Sequence, residues 1–277
     1  MSGCITISPM GGLANRMRAI LSARALAKDA GAQLRVLWNV SHELGCEPHW
    51  LFHTENWDFD WRTTTANTHH WLWKPAGKSN LFIPAVWQWL KFTQHIHDRT
   101  HLLDKSISTQ QLLTAAQTSL YITSGLEFYP YNHADTAKIF APTEQIEVMV
   151  EEKLEQMLDC KKIGIHIRRT DNQQSILHSP DRLFSDMMRQ QIQCNRNAMF
   201  YLATDSSEVK QKLTHEFAAR IVTSPDDACR SSRHGIMEAW AEMLALSHMD
   251  LIIGSYYSSF SEMAAQIGNV PLVMAKK

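Results

Sequence analysis

Two adjacent arginines, Arg168 and Arg169, follow the apolar run Ile163-Gly164-Ile165-His166-Ile167 and precede Thr170 and Asp171. The run reads as a buried strand. On its pleat the three isoleucines share one face, while Gly164, His166 and Arg168 share the other. Arginine is seldom buried without a partner, so guanidinium groups delivered to the end of such a strand call for an anion. That anion is either a ligand, with phosphate well matched to a planar fork of donors, or an internal carboxylate, with Asp171 the nearest candidate.

Two later segments bear on the choice. Met199-Phe200-Tyr201-Leu202-Ala203-Thr204 is an apolar run ending in Asp205 and Ser206, and Leu251-Ile252-Ile253-Gly254-Ser255 is another, followed by Ser258-Ser259-Phe260-Ser261-Glu262. In open parallel sheets the carboxyl ends of the strands line one edge, where ligands bind. Three polar strand ends are therefore expected to meet around one ligand. The serines open a helix; Ser259 and Glu262 have capping-box spacing, and phosphate binding at the same helix start would account for so many hydroxyls. Near the N-terminus, Gly11 and Gly12 lie between a strand and a helix, where glycines let backbone approach a ligand and the helix start offers N–H groups. A tight turn explains a double glycine too.

These motifs, HIRRTD at 166–171, FYLATDS at 200–206 and SSFSE at 258–262, together with GGLANR at 11–16, resemble in order and spacing those of the fucosyltransferase superfamily. That group includes the bacterial nodulation fucosyltransferase, the core α1,6-fucosyltransferases and the protein O-fucosyltransferases. The resemblance covers most of the C-terminal half and the N-terminal glycine loop, and does not extend over 40–125. It implies a GT-B-like α/β fold, two Rossmann-like domains with a cleft between them. It also implies an inverting glycosyltransferase moving L-fucose from GDP-fucose to a glycan hydroxyl.

By the same resemblance Arg168 grips the diphosphate, His166 contacts the nucleotide, and Asn15 contacts the donor or the acceptor hydroxyl. Gly11, Gly12, Asp205, Ser258 and Ser259 complete the expected donor site. Glu242 falls where the family often has an aspartate facing the guanine or ribose. The core-fucosylating branch has a glutamate beyond the motif histidine where the ungapped position here is Ile176. The general base is thus open among Asp171, His178 and Glu127, and a non-catalytic sugar-nucleotide or glycan-binding protein of the same fold is the alternative. No cofactor is expected: the GDP-sugar enters as donor substrate, and arginine and a helix start replace a metal.

Twenty-seven basic against 28 acidic residues give a net charge of −1. This balance carries no general footprint for nucleic acid or an anionic membrane, so any basic patch must be local. Five widely spaced cysteines without a CxxC pair argue against a disulfide framework or a cysteine zinc site. With no transmembrane segment and no secretory leader, they point to a bacterial, cytoplasmic protein. Oligomeric state is not legible.

The chain opens with a strand at Cys4–Ser8, a helix at 14–30 stopped by Gly31, and a strand at 33–38. A helix at 109–116 and a strand at 119–123 follow the unassigned middle. From Thr143, which reads as an N-cap, elements alternate: strands at 162–168, 199–204, 220–222, 250–254 and 270–274, helices at about 180–192, 206–217, 236–248 and 259–267. Alternation of this kind indicates parallel strands covered by helices. The expected domains are 1–140, with the glycine loop and acceptor side, and 141–277, the donor domain.

Other motifs are weaker. Asp58-Phe59-Asp60 is a DxD, but lies between Trp57 and Trp61 and follows no Rossmann strand. Gly77-Lys78-Ser79 lacks the first P-loop glycine, position 72 being leucine. His97 and His101 have i, i+4 ligand spacing, with His95 close, but no HExxH. Eight of the nine tryptophans fall between 38 and 89. They are either core filling or an aromatic surface for an acceptor sugar.

Overall fold

The computed structural model describes the chain apart from residues 1, 2, 66–69, 75, 77, 99–101, 103–105, 171 and 226–228, and the side chains of His70 and Ser79. It divides into two α/β units, Met1–Asp135 with Arg230–Arg233, and Thr136–Cys229 with His234–Lys277. Each holds a five-stranded sheet whose pairings are all parallel.

The first sheet contains β1 (Cys4–Pro9), β2 (Gln33–Asn39), β3 (Asp60–Thr64), β4 (Gln94–His97) and β5 (Ser119–Ser124), in the order β3-β2-β1-β5-β4. Helix α1 (Leu13–Ala30) follows β1 and packs on β1 and β2, burying Met17, Ile20 and Leu21. Gly31 ends it in the left-handed conformation open to glycine. Helix α2 (Ile83–Lys91) lies between β3 and β4, and α3 (Thr109–Ala116) precedes β5. A capping box starts α3, with Ser108 Oγ accepting from Gln111 N–H and the Gln111 side chain accepting from Ser108 N–H. Residues 94–97 are a strand and His97 bonds Thr123, so the helical ligand spacing read for His97 and His101 does not apply; His101 itself lies outside the described residues.

After α4 (Asp135–Ile139) and α5 (Glu144–Leu154), the second sheet contains β6 (Lys161–Ile167), β7 (Ala198–Thr204), β8 (Ile221–Thr223), β9 (Leu251–Ser255) and β10 (Leu272–Ala275), in the order β10-β9-β6-β7-β8. Helices α6 (Gln173–His178) and α7 (Asp181–Cys194) follow β6; α8 (Ser207–Phe217), α9 (Arg233–Ser247) and α10 (Ser259–Gly268) follow β7, β8 and β9. Ile163, Ile165 and Ile167 face a dry core with Phe184 and Met188 of α7 and Val209 and Leu213 of α8. The opposite face carries two glycines, Gly164 and Gly254. A Cβ on Gly164 would lie 2.7 Å from Leu246 of α9, and one on Gly254 would lie 2.5 Å from Ser261 Oγ of α10. These glycines let both helices settle close to the sheet beside His166, whose register partners are Ala203 and Gly254.

Strand order reverses around β6: the chain runs outward through β7 and β8, then returns to the other side as β9 and β10. The carboxyl ends of β6 and β9 therefore flank the switch point of this sheet, the place where open α/β sheets bind ligands.

Candidate functional site

Arg168 is the first residue beyond β6. Its backbone N–H donates to Ser255 Oγ at 3.0 Å, tying the ends of β6 and β9 together, and its Nε lies 3.2 Å from Asp205 Oδ2 at the end of β7. Asp205 is the hub. Its Oδ1 accepts from Arg169 N–H at 2.7 Å and its Oδ2 accepts from Thr170 Oγ1 at 2.7 Å. One carboxylate thus holds the Arg168 guanidinium, the backbone N–H of Arg169 and the hydroxyl of Thr170. The three strand ends converge as their polar residues imply.

Arg169 turns the other way. Its Nε and Nη2 donate to Asp181 Oδ1 at 2.9 and 2.6 Å, and Nη2 also reaches Ser179 O at 2.7 Å. The internal carboxylate for this guanidinium is thus Asp181, whereas Asp171 was the nearest candidate in sequence; Asp205 takes the backbone N–H of Arg169. Asp171 lies outside the described residues.

A short helix that the sequence reading missed completes this edge. Asn172 caps α6, its Oδ1 accepting from Ser175 N–H, while its Nδ2 donates to Tyr257 O at 2.7 Å. Ser175 Oγ donates to Tyr256 O, and Tyr256 N–H donates to Ser179 Oγ. The loop after β6 is thereby laced to the loop that introduces α10. Here the expected capping box does not form: Ser258, not Ser259, is the N-cap, and its side chain makes no capping bond. Ser258 is buried and Ser259 half-buried. Glu262 sits one residue too late to serve as the N3 partner.

His166 is buried and stacks on Phe260 of α10, ring centroids 4.7 Å apart and planes at 19°. Burial, reinforced by Arg168, pushes the imidazole down to about 3, so it is neutral at physiological pH. Its Nδ1 is buried with no hydrogen-bond partner among the described residues.

Glu242 is buried on α9 among a second set of charges in the same unit. Burial raises its carboxyl to about 7 against the pull of Lys153 and Lys210. Lys153 Nζ donates to Glu238 at 2.6 Å and to Ser224 Oγ at 3.2 Å, and Lys210 Nζ donates to Ser224 O. The Tyr201 hydroxyl, buried and without a partner among the described residues, feels both Glu242 and Glu238. The charges shifting His166 and those shifting Glu242 are thus separate sets.

The glycine loop belongs to the first unit. Gly11 has φ 78, a conformation that favours glycine, and a Cβ there would meet Asn15 Nδ2 at 2.9 Å. Asn15 lies in the first turn of α1 with its Oδ1 buried and unpartnered among the described residues. Arg16, to which the sequence reading gave no role, is buried: Nε donates to Gly11 O at 2.9 Å, Nη1 to Asn39 O at 2.5 Å, and the guanidinium lies 5.4 Å from the Trp38 ring centroid. Its burial lowers it to about 10, still cationic at neutral pH. The last residue of the motif therefore sets the shape of its loop.

Of the base candidates, His178 ends α6 edge-on to Tyr256, at 5.4 Å between centroids, and Glu127 is exposed after β5. Asp58 of the DxD is held by Arg24, Nε to Oδ1 at 2.8 Å and Nη2 to Oδ2 at 2.6 Å. Among the described residues no group of three or more His, Cys, Asp or Glu side chains is placed to hold a metal.

No protein-family model matches the chain, and no curated protein matches it significantly in sequence. Solved structures do match. NodZ α-1,6-fucosyltransferase soaked with GDP-fucose superposes with a TM-score of 0.62 at 15% identity, covering 99% of this chain and 95% of that one. POFUT1 in complex with GDP-fucose gives 0.56 at 12%, covering 99% and 97%. A mutant of FUT1 from Arabidopsis thaliana in complex with GDP gives 0.61 at 15%, covering 99% of this chain and 70% of that one. The chain has the fold of these fucosyltransferases. Its two parallel-sheet units are the pair of Rossmann-like domains expected of a GT-B-like protein.

Two measurements test the electrostatics. Because the folded-state value of His166 is depressed, its contribution is complete above the unfolded value of 6.5 and is lost as pH falls toward 3. Glu242 is raised, so its contribution is complete below 4.5 and is lost as pH rises through 7. Urea unfolding at pH 4.5–7 is expected to show opposite changes in slope for His166→Gln and Glu242→Gln relative to the parent, each up to about 1.4 kcal/mol per pH unit. Equal slopes in all three proteins contradict the assignment. Arg169→Lys, which loses the fork on Asp181, is expected to lower stability by about 1–3 kcal/mol in the same assay.

Proposed function

We propose that this chain is a fucosyltransferase that moves L-fucose from GDP-fucose to a glycan hydroxyl with inversion at the anomeric carbon. The observation that carries the reading is the convergence of Arg168, Ser255 and Asp205 with the start of α10 at the switch point of the second sheet, in a fold shared with proteins crystallised with GDP-fucose. In this reading the acceptor oxygen attacks the anomeric carbon as the bond to the β-phosphate oxygen breaks. GDP departs with the electron pair, and the acceptor proton passes to a base, for which Asp171 is the nearest candidate in sequence to Arg168.

Arg168, with the N–H groups at the start of α10 near Ser258 and Ser259, meets the charge that develops on the leaving diphosphate, and no metal is required. Asp205 holds Arg168 in place. His166, kept neutral under Phe260, lines the nucleotide without adding charge. Glu242 faces the base or ribose, where a carboxyl near 7 accepts from N–H or O–H donors once ionised. Gly11, Gly12 and Asn15 serve the acceptor hydroxyl or the donor sugar, with Asn15 Oδ1 waiting for a donor. The five cysteines, none in a disulfide, fit a reducing cytoplasm.

A second reading keeps the fold and the nucleotide but not the transfer, and rests on exposed Ile176 standing where one branch of the family has glutamate. Calorimetry is expected to show GDP bound more tightly than UDP, and incubation with GDP-fucose and glycan acceptors to yield fucosylated product in the presence of chelator. Arg168→Lys is expected to stay folded and lose about 10²-fold in turnover, the scale for one preorganised donor. UDP bound as tightly as GDP sinks the donor assignment, GDP binding without product leaves the binding protein, and restoration of chelated enzyme by manganese overturns metal independence.

A further inference from the structure

Helix α2 is inside out. Its inward side carries Pro84 and Gln88, both buried, and half-buried Trp87, while Ile83, Val86, Trp89 and Leu90 face solvent. Trp89 is 70% and Leu90 73% exposed, and Leu81, in the turn before the helix, is 79% exposed. The rotation is fixed: the Gln88 amide donates to Leu72 O at 2.8 Å and to Lys74 O at 3.0 Å, and Trp87 packs on Trp73 with ring centroids 4.4 Å apart. The helix cannot roll its apolar side inward without breaking those bonds. Leu81 and Phe82 are both left-handed, φ 51 and 55, a costly conformation for residues with a side chain, and both project into solvent.

Charge distinguishes what this face fits. From Trp61 to His97 the sequence has Arg62, Lys74, Lys78 and Lys91 and no aspartate or glutamate, in a chain whose charges nearly cancel as a whole. An exposed stripe of Trp, Phe, Leu, Ile and Val beside lysines, free of carboxylates, is the composition of helices that lie in the headgroup region of a bilayer. Acidic headgroups add attraction for each nearby cation. Among the described residues no helix is long and apolar enough to cross a membrane, so contact through α2 is peripheral.

We propose that α2 and the preceding turn form a docking surface for an anionic lipid bilayer, with Leu81, Phe82, Val86, Trp89 and Leu90 entering the interface and exposed Lys78 meeting acidic headgroups, while the Lys91 ammonium lies over the Trp73 and Trp87 rings on the inward side. The proposal is independent of the transfer reaction.

Vesicle sedimentation with the full chain tests it, comparing phosphatidylglycerol/phosphatidylcholine with pure phosphatidylcholine. The parent is expected to bind the anionic vesicles, less at high salt, and to prefer them clearly over neutral ones. Trp89→Ser/Leu90→Ser is expected to lower partition by about tenfold or more with unchanged circular dichroism, since two exposed apolar side chains no longer leave water. Lys78→Glu is expected to weaken binding to the anionic vesicles alone. No binding by the parent, or partition unaffected by Trp89→Ser/Leu90→Ser, overturns the proposal. So does light scattering that shows a dimer dissociated by the same substitutions in a protein that ignores vesicles, which would assign the face to a second copy.

Discussion

The carboxylate of Asp205 is the constraint on which the second unit's edge depends. Arg168 must end a buried parallel strand without an unpaired charge, and Asp205, one strand over, supplies the counter-charge while holding the N–H of Arg169 and the hydroxyl of Thr170. The loop after β6 is then rigid enough for α6 to start at Asn172 and reach across to the loop before α10. Remove that carboxylate and three residues lose their anchor together, so its effect should exceed that of a single hydrogen bond.

The first unit solves a similar problem with the opposite charge. Arg16 is buried, yet its Nε and Nη1 donate to backbone carbonyls, Gly11 O and Asn39 O, and the guanidinium lies over the Trp38 ring. A lysine could not span both carbonyls and the ring from one planar group. The guanidinium thereby holds the carbonyl of Gly11, the residue in the left-handed turn.

Much of this was legible where burial imposes a period. The strands of the second sheet alternate or run apolar, and their ends fall within a residue or two of the positions read from sequence. The missed strands β3 and β4 are the two edges of the first sheet, short and largely polar, so they carry little hydrophobic signal. Helix α2 was hidden because its apolar residues face outward among a crowd of tryptophans. The tryptophans themselves divide: Trp38 and Trp57 are core, Trp73 and Trp87 pack with Phe92 and Tyr121, and Trp89 lies in water. The partner of Arg169 was out of reach of a local reading, because Asp181 arrives only after α6 has turned the chain back. Asn172, three residues before Ser175, was the available signal for that helix.

In the proposed function Asp205 presents Arg168 to a diphosphate. Calorimetric titration of GDP and of guanosine into the parent, Arg168→Lys and Asp205→Asn measures it directly, since the difference between the ligands isolates the phosphates. GDP is expected to lose about tenfold or more of its advantage over guanosine in both variants, while guanosine binds all three proteins alike. An undiminished GDP advantage in folded Asp205→Asn and Arg168→Lys would contradict it.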